Sequence, residues 1–205
     1  MPKRSRTRVP PADPKQRLIA AALNLAATKG WRRTGLAEIA ASAHVPLDQA
    51  YGLFRSKFAI LVGFRRSIDE AVLAQRGTAA DESPRDRLFD VLMRRFELLK
   101  PYRPGIKAIL RDSIGDPSLA KAVPGLLRSI GWMREAAGLP ATGCRGRLAC
   151  RLTAALYVSV LPVFLRDDSA DLGSTMATLD RRLRQAETLL SSFGPILGRS
   201  AKPQN

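Results

Sequence analysis

The side chains most able to do chemistry in this sequence are its cations. The 205-residue chain has 34 lysine and arginine residues against 18 aspartate and glutamate residues, which gives a net charge of +16. The first 66 residues contain 13 of the basic residues and 3 of the acidic ones, a local charge of +10. A basic segment of this kind indicates binding to a polyanion: DNA, RNA or an anionic membrane surface. A solvated basic surface without a partner is the alternative.

Residue types that catalyse reactions or hold metals are sparse and scattered. His44 is the only histidine, and Cys144 and Cys150 are the only cysteines. Their spacing fits neither a zinc site nor a disulfide framework. The adjacent Asp167 and Asp168 are typical of a turn or a helix cap. Because no nucleophile–base set, phosphate-binding loop or metal cluster is apparent, we expect no catalytic residue, no metal site and no cofactor.

Three helices are expected to position the basic segment. Apolar residues at helical spacing predict a first helix that follows a cap at Asp13 and ends before Gly30. The second is Leu36–Ser42, with Thr34 as its expected cap, and the third is Leu47–Leu53. Two short helices joined by a tight turn on a basic segment predict a helix-turn-helix, in which the second helix enters the major groove.

The rest of the sequence predicts further helices and no strand, so the chain is expected to be all-α with about nine helices. One of these helices begins near Asp116–Pro117 and runs to Gly138 with an irregularity at Pro124–Gly125. The expected organisation is a disordered basic arm over residues 1–13, a three-helix head over 14–60, a helical body over 61–198 and a flexible tail over 199–205.

The longest apolar stretch is Leu152–Leu165, which is interrupted by Thr153, Ser159 and Pro162. It is too short and too interrupted to cross a bilayer, so we predict a buried core helix and no integral membrane association. The N-terminus lacks the apolar segment of a secretory signal, and a cytoplasmic location is therefore expected.

The stretch from Arg17 to Leu61 resembles the DNA-binding domain of TetR-type transcriptional repressors. The matching positions are Ala21–Ala22, Leu25, Gly30–Trp31, Thr34, Ile39–Ala40, Val45, Tyr51, Phe54, Ser56–Lys57 and Leu61. The run Tyr-x-x-Phe-x-x-Lys is the most specific part of this resemblance. The remainder of the chain agrees with the family in the number and length of its helices only.

The resemblance implies which residues contact DNA. They are Thr34, Gly35, Leu47, Asp48, Gln49, Tyr51 and Lys57. The hydroxyls of Thr34 and Tyr51 are suited to phosphate contacts, as is a helix N-terminus. Lys57 would supply a point charge to a phosphate. Gln49 is the expected base reader, because its amide can pair with the edge of an adenine.

Three residues depart from the family pattern in or beside the turn. His44 stands where a glycine is usual, and histidine tolerates a positive φ better than most residues do. Pro46 and Asp48 stand where small or neutral polar residues are usual. Asp48 would face phosphates with the wrong sign unless it reads a cytosine amino group. These departures bear on base recognition and not on the fold.

The same resemblance implies a homodimer and an unknown small-molecule effector bound by the body. Arg147–Arg166 and the apolar seam from Met176 to Phe193 fit a four-helix dimer interface, whose two-fold symmetry would match a palindromic operator in double-stranded DNA. Packing within one chain is the alternative explanation of the seam. The candidates for lining an effector pocket, all of which are also typical core residues, are Phe89, Met93, Phe96, Ile109, Trp132 and Met133.

A weaker resemblance links the C-terminal part to ubiquinone-biosynthesis lipid-binding proteins, which share the TetR fold. It is carried by Trp132, the turn Asp167-Asp168-Ser169, Thr175 and Asp180-Arg181-Arg182.

The predicted function is a sequence-specific DNA-binding transcriptional regulator, a repressor that a small apolar ligand releases or modulates. A lipid-binding accessory protein of ubiquinone biosynthesis that does not read DNA is the alternative.

Overall fold

A computed structural model describes residues 13–75 and 82–197, and over those ranges the chain is helical without a strand. This described part confirms the all-α architecture. Its helices are α1 Pro14–Lys29, α2 Leu36–Ser42, α3 Leu47–Leu53, α4 Lys57–Ala74, α5 Pro84–Leu99, α6 Arg103–Ser113, α7 Val123–Ala136, α8 Gly143–Phe164 and α9 Gly173–Leu197, with short 3-10 helices at Lys100–Tyr102 and Pro117–Ala122. The predicted arm, apart from Asp13, and the predicted tail lie outside the described residues.

Local side-chain chemistry explains where the N-terminal helices begin and end. The carboxylate of Asp13 accepts a hydrogen bond from the backbone N–H of Lys15 at 3.2 Å and so caps α1. Gly30 ends α1 with a φ of 93°, a left-handed conformation that glycine adopts without steric cost. The hydroxyl of Ser56 accepts from the N–H of Ala59 at 3.1 Å and caps α4.

The predicted helix from residue 116 to 138 is wrong in its first third. Pro117–Ala122 is a 3-10 helix, and the α-helix begins only at Val123. Pro124 therefore lies in the first turn of α7 and not at an internal irregularity. Proline is tolerated there because the first N–H groups of a helix have no partner within the helix.

The chain divides into two compact units. The first combines Met1–Arg65 with Pro104–Ile114, and the second combines Arg66–Arg103 with Gly115–Asn205. The division falls inside α4, and it places most of α6 with the N-terminal helices. Gly105 shows how closely α6 approaches α1, since a Cβ at this position would lie 2.6 Å from the carbonyl oxygen of Leu23.

The second unit has an aromatic and aliphatic core contributed by α5, α7, α8 and α9. The ring of Phe96 stacks on Tyr157 with centroids 4.8 Å apart, and it lies 5.0 Å from the ring of Phe164. The other fully buried large side chains of this unit are Val91, Leu92, Ile130, Met133, Val160, Leu172 and Leu179. Burial on this scale supplies most of the favourable free energy of folding.

α8 is buried on one face only, which corrects the expectation of a buried core helix. The expectation that the stretch Leu152–Leu165 is too short is also wrong, because α8 extends it: among the described residues α8 is the one helix that is long and apolar enough to cross a membrane by length and composition. Its inner face carries Cys150, Tyr157 and Val160. The opposite face is exposed and carries Leu148, Leu152, Ala155 and Ser159, which follow one another at helical spacing.

Candidate nucleic-acid interface

Small and branched apolar side chains hold the helix-turn-helix together. The inner face of α1 presents Leu18, Ala22 and Ala26, which have no exposed surface. The buried residues of α2, the turn and α3 are Ile39, Ala40, Ala43, Val45 and Ala50. Leu36, at the start of α2, is half-buried. Because most of these side chains are short, the helices approach closely and the turn between α2 and α3 is fixed.

The turn between α2 and α3 is built on a left-handed residue. His44 has a φ of 51°, as its place in the turn predicted. Its N–H donates to the carbonyl oxygen of Ala41 at 3.1 Å, and the N–H of Val45 donates to that of Ala40 at 3.0 Å. Arg17 of α1 donates to the carbonyl oxygen of His44 at 3.4 Å. The imidazole itself is exposed, so the residue serves the turn through its backbone.

α3 presents an exposed outer face. Ala50 is fully buried, while Leu47 and Tyr51 are 44% and 52% exposed. Asp48 and Gln49 are exposed as well. The structure thus brings together four of the seven residues that the resemblance assigned to DNA, and they form one solvent-facing surface on a helix narrow enough for the major groove.

Thr34 does not lie on that surface. It is only 2% exposed, and its hydroxyl donates to the carbonyl oxygen of Gly30 at 2.8 Å. The residue before α2 is Gly35, which is exposed and makes no side-chain cap, so the expectation that Thr34 caps α2 is wrong. The threonine hydroxyl is satisfied within its own loop, four residues back.

Lys57 ties the start of α4 to the loop between α1 and α2. Its Nζ donates to the carbonyl oxygen of Trp31 at 2.9 Å and to that of Thr34 at 3.3 Å. The ammonium also lies 4.9 Å from the centroid of the Trp31 ring, within the range of a cation–π interaction. Two of its three N–H donors are committed to this loop. Its role toward phosphate stays a prediction.

The last turn of α6 holds the same loop from another side. The carboxylate of Asp112 accepts from the backbone N–H groups of Trp31 at 2.7 Å and Arg32 at 3.3 Å. The guanidinium of Arg32 donates back to the carbonyl oxygens of Asp112 at 2.7 Å and Ile114 at 3.3 Å. Desolvation acts to raise the pKa of Asp112, but hydrogen bonds from Arg32, Arg111 and Trp31 outweigh it and leave the pKa below the ordinary value.

The six pocket candidates differ in burial and are divided between the two units. Met93, Phe96 and Met133 are buried in the core of the second unit. The remaining three are Phe89, which is half-buried, Trp132, which is 38% exposed, and Ile109, which belongs to the first unit. Their role in binding an effector stays a prediction.

The second unit contains a buried polar cluster that the sequence patterns do not reveal. Asp69 of α4 pairs with Arg95 of α5, and both side chains are almost fully buried. Ser129 of α7 donates to the Asp69 carboxylate at 2.6 Å, and Arg95 Nε donates to the hydroxyl of Tyr157 of α8 at 3.3 Å. Burial raises the pKa of Tyr157, although the charge of Arg95 opposes the shift. Four helices thus share one charged network inside an apolar core.

Asp167 serves the beginning of α9, as its place in an acidic turn predicted. One carboxylate oxygen accepts from the N–H and the hydroxyl of Thr175, both at 2.7 Å, and the other accepts from Ser169. Desolvation acts to raise the pKa of Asp167, but the hydrogen bonds from Ser169 and Thr175 outweigh it and lower the pKa to about 2. Among the described residues, no group of three acidic, cysteine or histidine side chains is placed to hold a metal ion.

Together these features define an all-helical protein with a helix-turn-helix in its N-terminal unit. Residues 18–62 match the family of bacterial regulatory proteins described as tetR family, and they form a TetR-type helix-turn-helix domain. The chain as a whole has the fold of TetR-type transcriptional regulators.

Three solved structures illustrate this shared fold. A TetR transcriptional regulator from Nitrosomonas europaea ATCC 19718 is 23% identical, with 86% of this chain and 99% of that chain covered and a TM-score of 0.71. One from Rhodococcus sp. RHA1 is 21% identical, with 87% and 97% covered and a TM-score of 0.61. One from Streptomyces coelicolor is 17% identical, with 90% and 89% covered and a TM-score of 0.56. Comparison with curated protein sequences gives no significant match.

Proposed function

We propose that this protein is a cytoplasmic, homodimeric transcriptional repressor that binds a palindromic operator through α3 and is released by a small apolar ligand. The observation that carries the proposal is the exposed face of α3, held on a TetR-type head within the most basic third of the chain. Cationic charge supplies affinity for phosphates, and exposed side chains on a groove-sized helix supply sequence selectivity.

Selection from random double-stranded DNA with the purified full chain tests DNA recognition. An enriched palindrome with half-sites about one helical turn apart supports the proposal, because two-fold symmetry sets that spacing. Binding to the enriched sequence should weaken steeply as salt rises, since phosphate contacts release counterions. Equal retention of all sequences would refute sequence-specific regulation. The basic surface would then bind DNA without selecting a sequence.

The exposed face of α8 supports the homodimer. Leu148 and Leu152 are more than half exposed, and Met176 at the start of α9 is also exposed. Leu179 and Leu183 of the predicted α9 seam are buried within the chain, so the proposal relies on α8. A second copy would cover an apolar stripe that otherwise faces water, at a gain of roughly 25 cal/mol for each Å² of apolar surface buried.

Sedimentation of two charged variants tests this interface. Leu152→Glu should shift the protein toward a monomer, because an unpaired charge is costly within an apolar contact. Val123→Glu is the matched control, since Val123 is equally exposed but lies on α7. Unchanged dimer content in Leu152→Glu, or equal dissociation of both variants, would contradict the α8 interface.

The ligand and the repressor role are tested together. The buried side chains Met93, Phe96 and Met133 support an apolar ligand, because they make the interior of the second unit apolar. A ligand that raises the unfolding temperature and releases operator DNA in the same concentration range supports the proposal.

Mass spectrometry of the gently purified protein checks the alternative: a retained isoprenoid quinone, together with no enriched DNA sequence, would favour a lipid-binding accessory protein.

A further inference from the structure

The geometry of α3 points to Asp48, and not Gln49, as the central base-reading residue, and we propose that it selects a cytosine amino group in each operator half-site. This inference rests on the proposed DNA-binding function and specifies which base that function requires. It follows from the direction of each side chain around α3, from the exposure of those side chains and from the hydrogen-bonding chemistry of a carboxylate.

Helical geometry places Asp48 at the middle of the outer face. Successive residues of an α-helix are about 100° apart, so the direction opposite the buried Ala50 falls between Asp48 and Gly52. Gln49 lies about 80° to one side of that direction, and Tyr51 lies a similar angle to the other. The side chain that projects most directly away from the head is therefore a carboxylate.

The surroundings of Asp48 leave it available to a partner. Within the described part of the chain, no hydrogen bond or ion pair engages its carboxylate. Gly52 lies one turn further along the same face, and a Cβ built there would meet no atom within 4 Å. This glycine opens space beside Asp48, so that a base edge can approach α3 closely.

An ionised carboxylate only accepts hydrogen bonds, so its base partner must be a donor. The major groove displays two amino groups, cytosine N4 and adenine N6. Adenine N7, an acceptor, lies beside N6 and repels a carboxylate, whereas cytosine presents only its amino group on its own edge. The chemistry therefore selects cytosine. A neutral amide such as that of Gln49 fits adenine, and this pairing belongs to a flank of the site.

The negative charge also makes Asp48 a residue of specificity rather than affinity. In a groove lined by phosphates, a carboxylate without a bonded amino group is repelled, so sequences that lack the cytosine are bound more weakly. The N-terminal third of the chain supplies the compensating attraction, with 13 basic residues among the first 66. Removing the charge is expected to increase binding to unrelated DNA while it relaxes the choice of base.

Selection from random DNA with the full-length wild type and with Asp48→Asn tests the inference. The wild type should enrich one invariant C·G pair in each half-site. Asp48→Asn should lose that preference, by about tenfold or more, the range typical of a good base contact. It should also bind unrelated DNA more tightly. Asp48→Ala provides a second variant, and Glu97→Gln, at an exposed position on α5, removes a charge as the matched control.

The outcomes separate this inference from the proposed function. A wild-type motif whose invariant C·G pair persists in both Asp48 variants overturns the role of Asp48 and leaves the regulator intact. If Asp48→Asn keeps the motif unchanged and unfolds at a lower temperature, the carboxylate stabilises the first turn of α3, and its base-reading role is overturned. Absence of any motif in the wild type overturns both proposals. If Gln49→Ala, but neither Asp48 variant, relaxes the base preference at a second position of the motif, the placement of Gln49 on the flank is supported.

Discussion

The carboxylate of Asp112 accepts a hydrogen bond at 2.7 Å from the backbone N–H of Trp31, which lies 81 residues earlier in the chain. The bond joins the last turn of α6 to the loop that leads into α2, within one compact unit. A charged acceptor on a backbone donor is among the stronger hydrogen bonds in proteins. The helix-turn-helix is therefore positioned by a distant part of the chain as well as by its neighbours.

Replacement of Asp112 by asparagine should lower both the unfolding temperature and the affinity for the operator. The variant keeps the size of the side chain but removes the charge that two backbone N–H groups share. Thermal denaturation and DNA titration measure the two effects. Glu97→Gln, at an exposed position on α5, is the control and should change neither. Wild-type behaviour of Asp112→Asn in both assays would contradict a role in positioning the loop.

Lys57→Ala should weaken binding to all DNA sequences without changing the preferred motif. If its ammonium also contacts a phosphate, the slope of log K against log salt should fall by about 0.9. The variant should unfold at a lower temperature too, because the carbonyl oxygens of Trp31 and Thr34 lose their donor. Lys107→Ala, at an exposed position on α6, serves as control. A reduced affinity with an unchanged salt slope would restrict Lys57 to its structural role.

Arg95→Met should destabilise the second unit by about 3–5 kcal/mol, the usual cost of leaving one member of a buried ion pair without its partner. The double variant Arg95→Met/Asp69→Leu should recover much of this loss, because no buried charge then remains unpaired. Chemical denaturation of the wild type, the two single variants and the double variant measures the coupling. Additive losses would show that the two side chains act independently.

Asp167 should contribute to acid sensitivity. Its pKa is lowered to about 2 from 3.8, because hydrogen bonds from Ser169 and Thr175 outweigh desolvation. A group with a lowered folded-state pKa stabilises the fold above its unfolded pKa, and this contribution disappears as the pH falls from 3.8 toward 2. Asp167→Asn should unfold more easily at neutral pH and lose less stability across that window. Asp168→Asn, at an exposed position, is the control, and equal acid profiles for both variants would contradict the assignment.

Much of the N-terminal unit could be predicted because its signals are local. Asp13 and Gly30 mark the ends of α1, and apolar spacing places α2 and α3 at their observed bounds. The positive φ at His44 could be expected because the family resemblance places a glycine at this position. Each of these features depends on residues a few positions apart.

The contacts that the sequence did not reveal join residues far apart in the chain. Nothing near Asp112 indicates that Trp31 is its partner, and the buried pair of Asp69 and Arg95 looks like two ordinary surface charges on amphipathic helices. Thr34 failed as a cap for a different reason: its hydroxyl bonds back to Gly30, an equally local alternative that residue type alone does not distinguish.

The close contact at Gly105 makes this position suitable for a conditional allele. Any side chain there would press on the backbone of Leu23, where a Cβ would approach the carbonyl oxygen to 2.6 Å. Alanine adds the smallest possible side chain. A slight separation of α6 from α1 would accommodate its methyl group, and this separation would lower the stability of the fold. A Gly105→Ala strain should therefore keep the folded protein at low growth temperature and lose it on warming, which provides a genetic means of switching the protein off without altering the exposed face of α3.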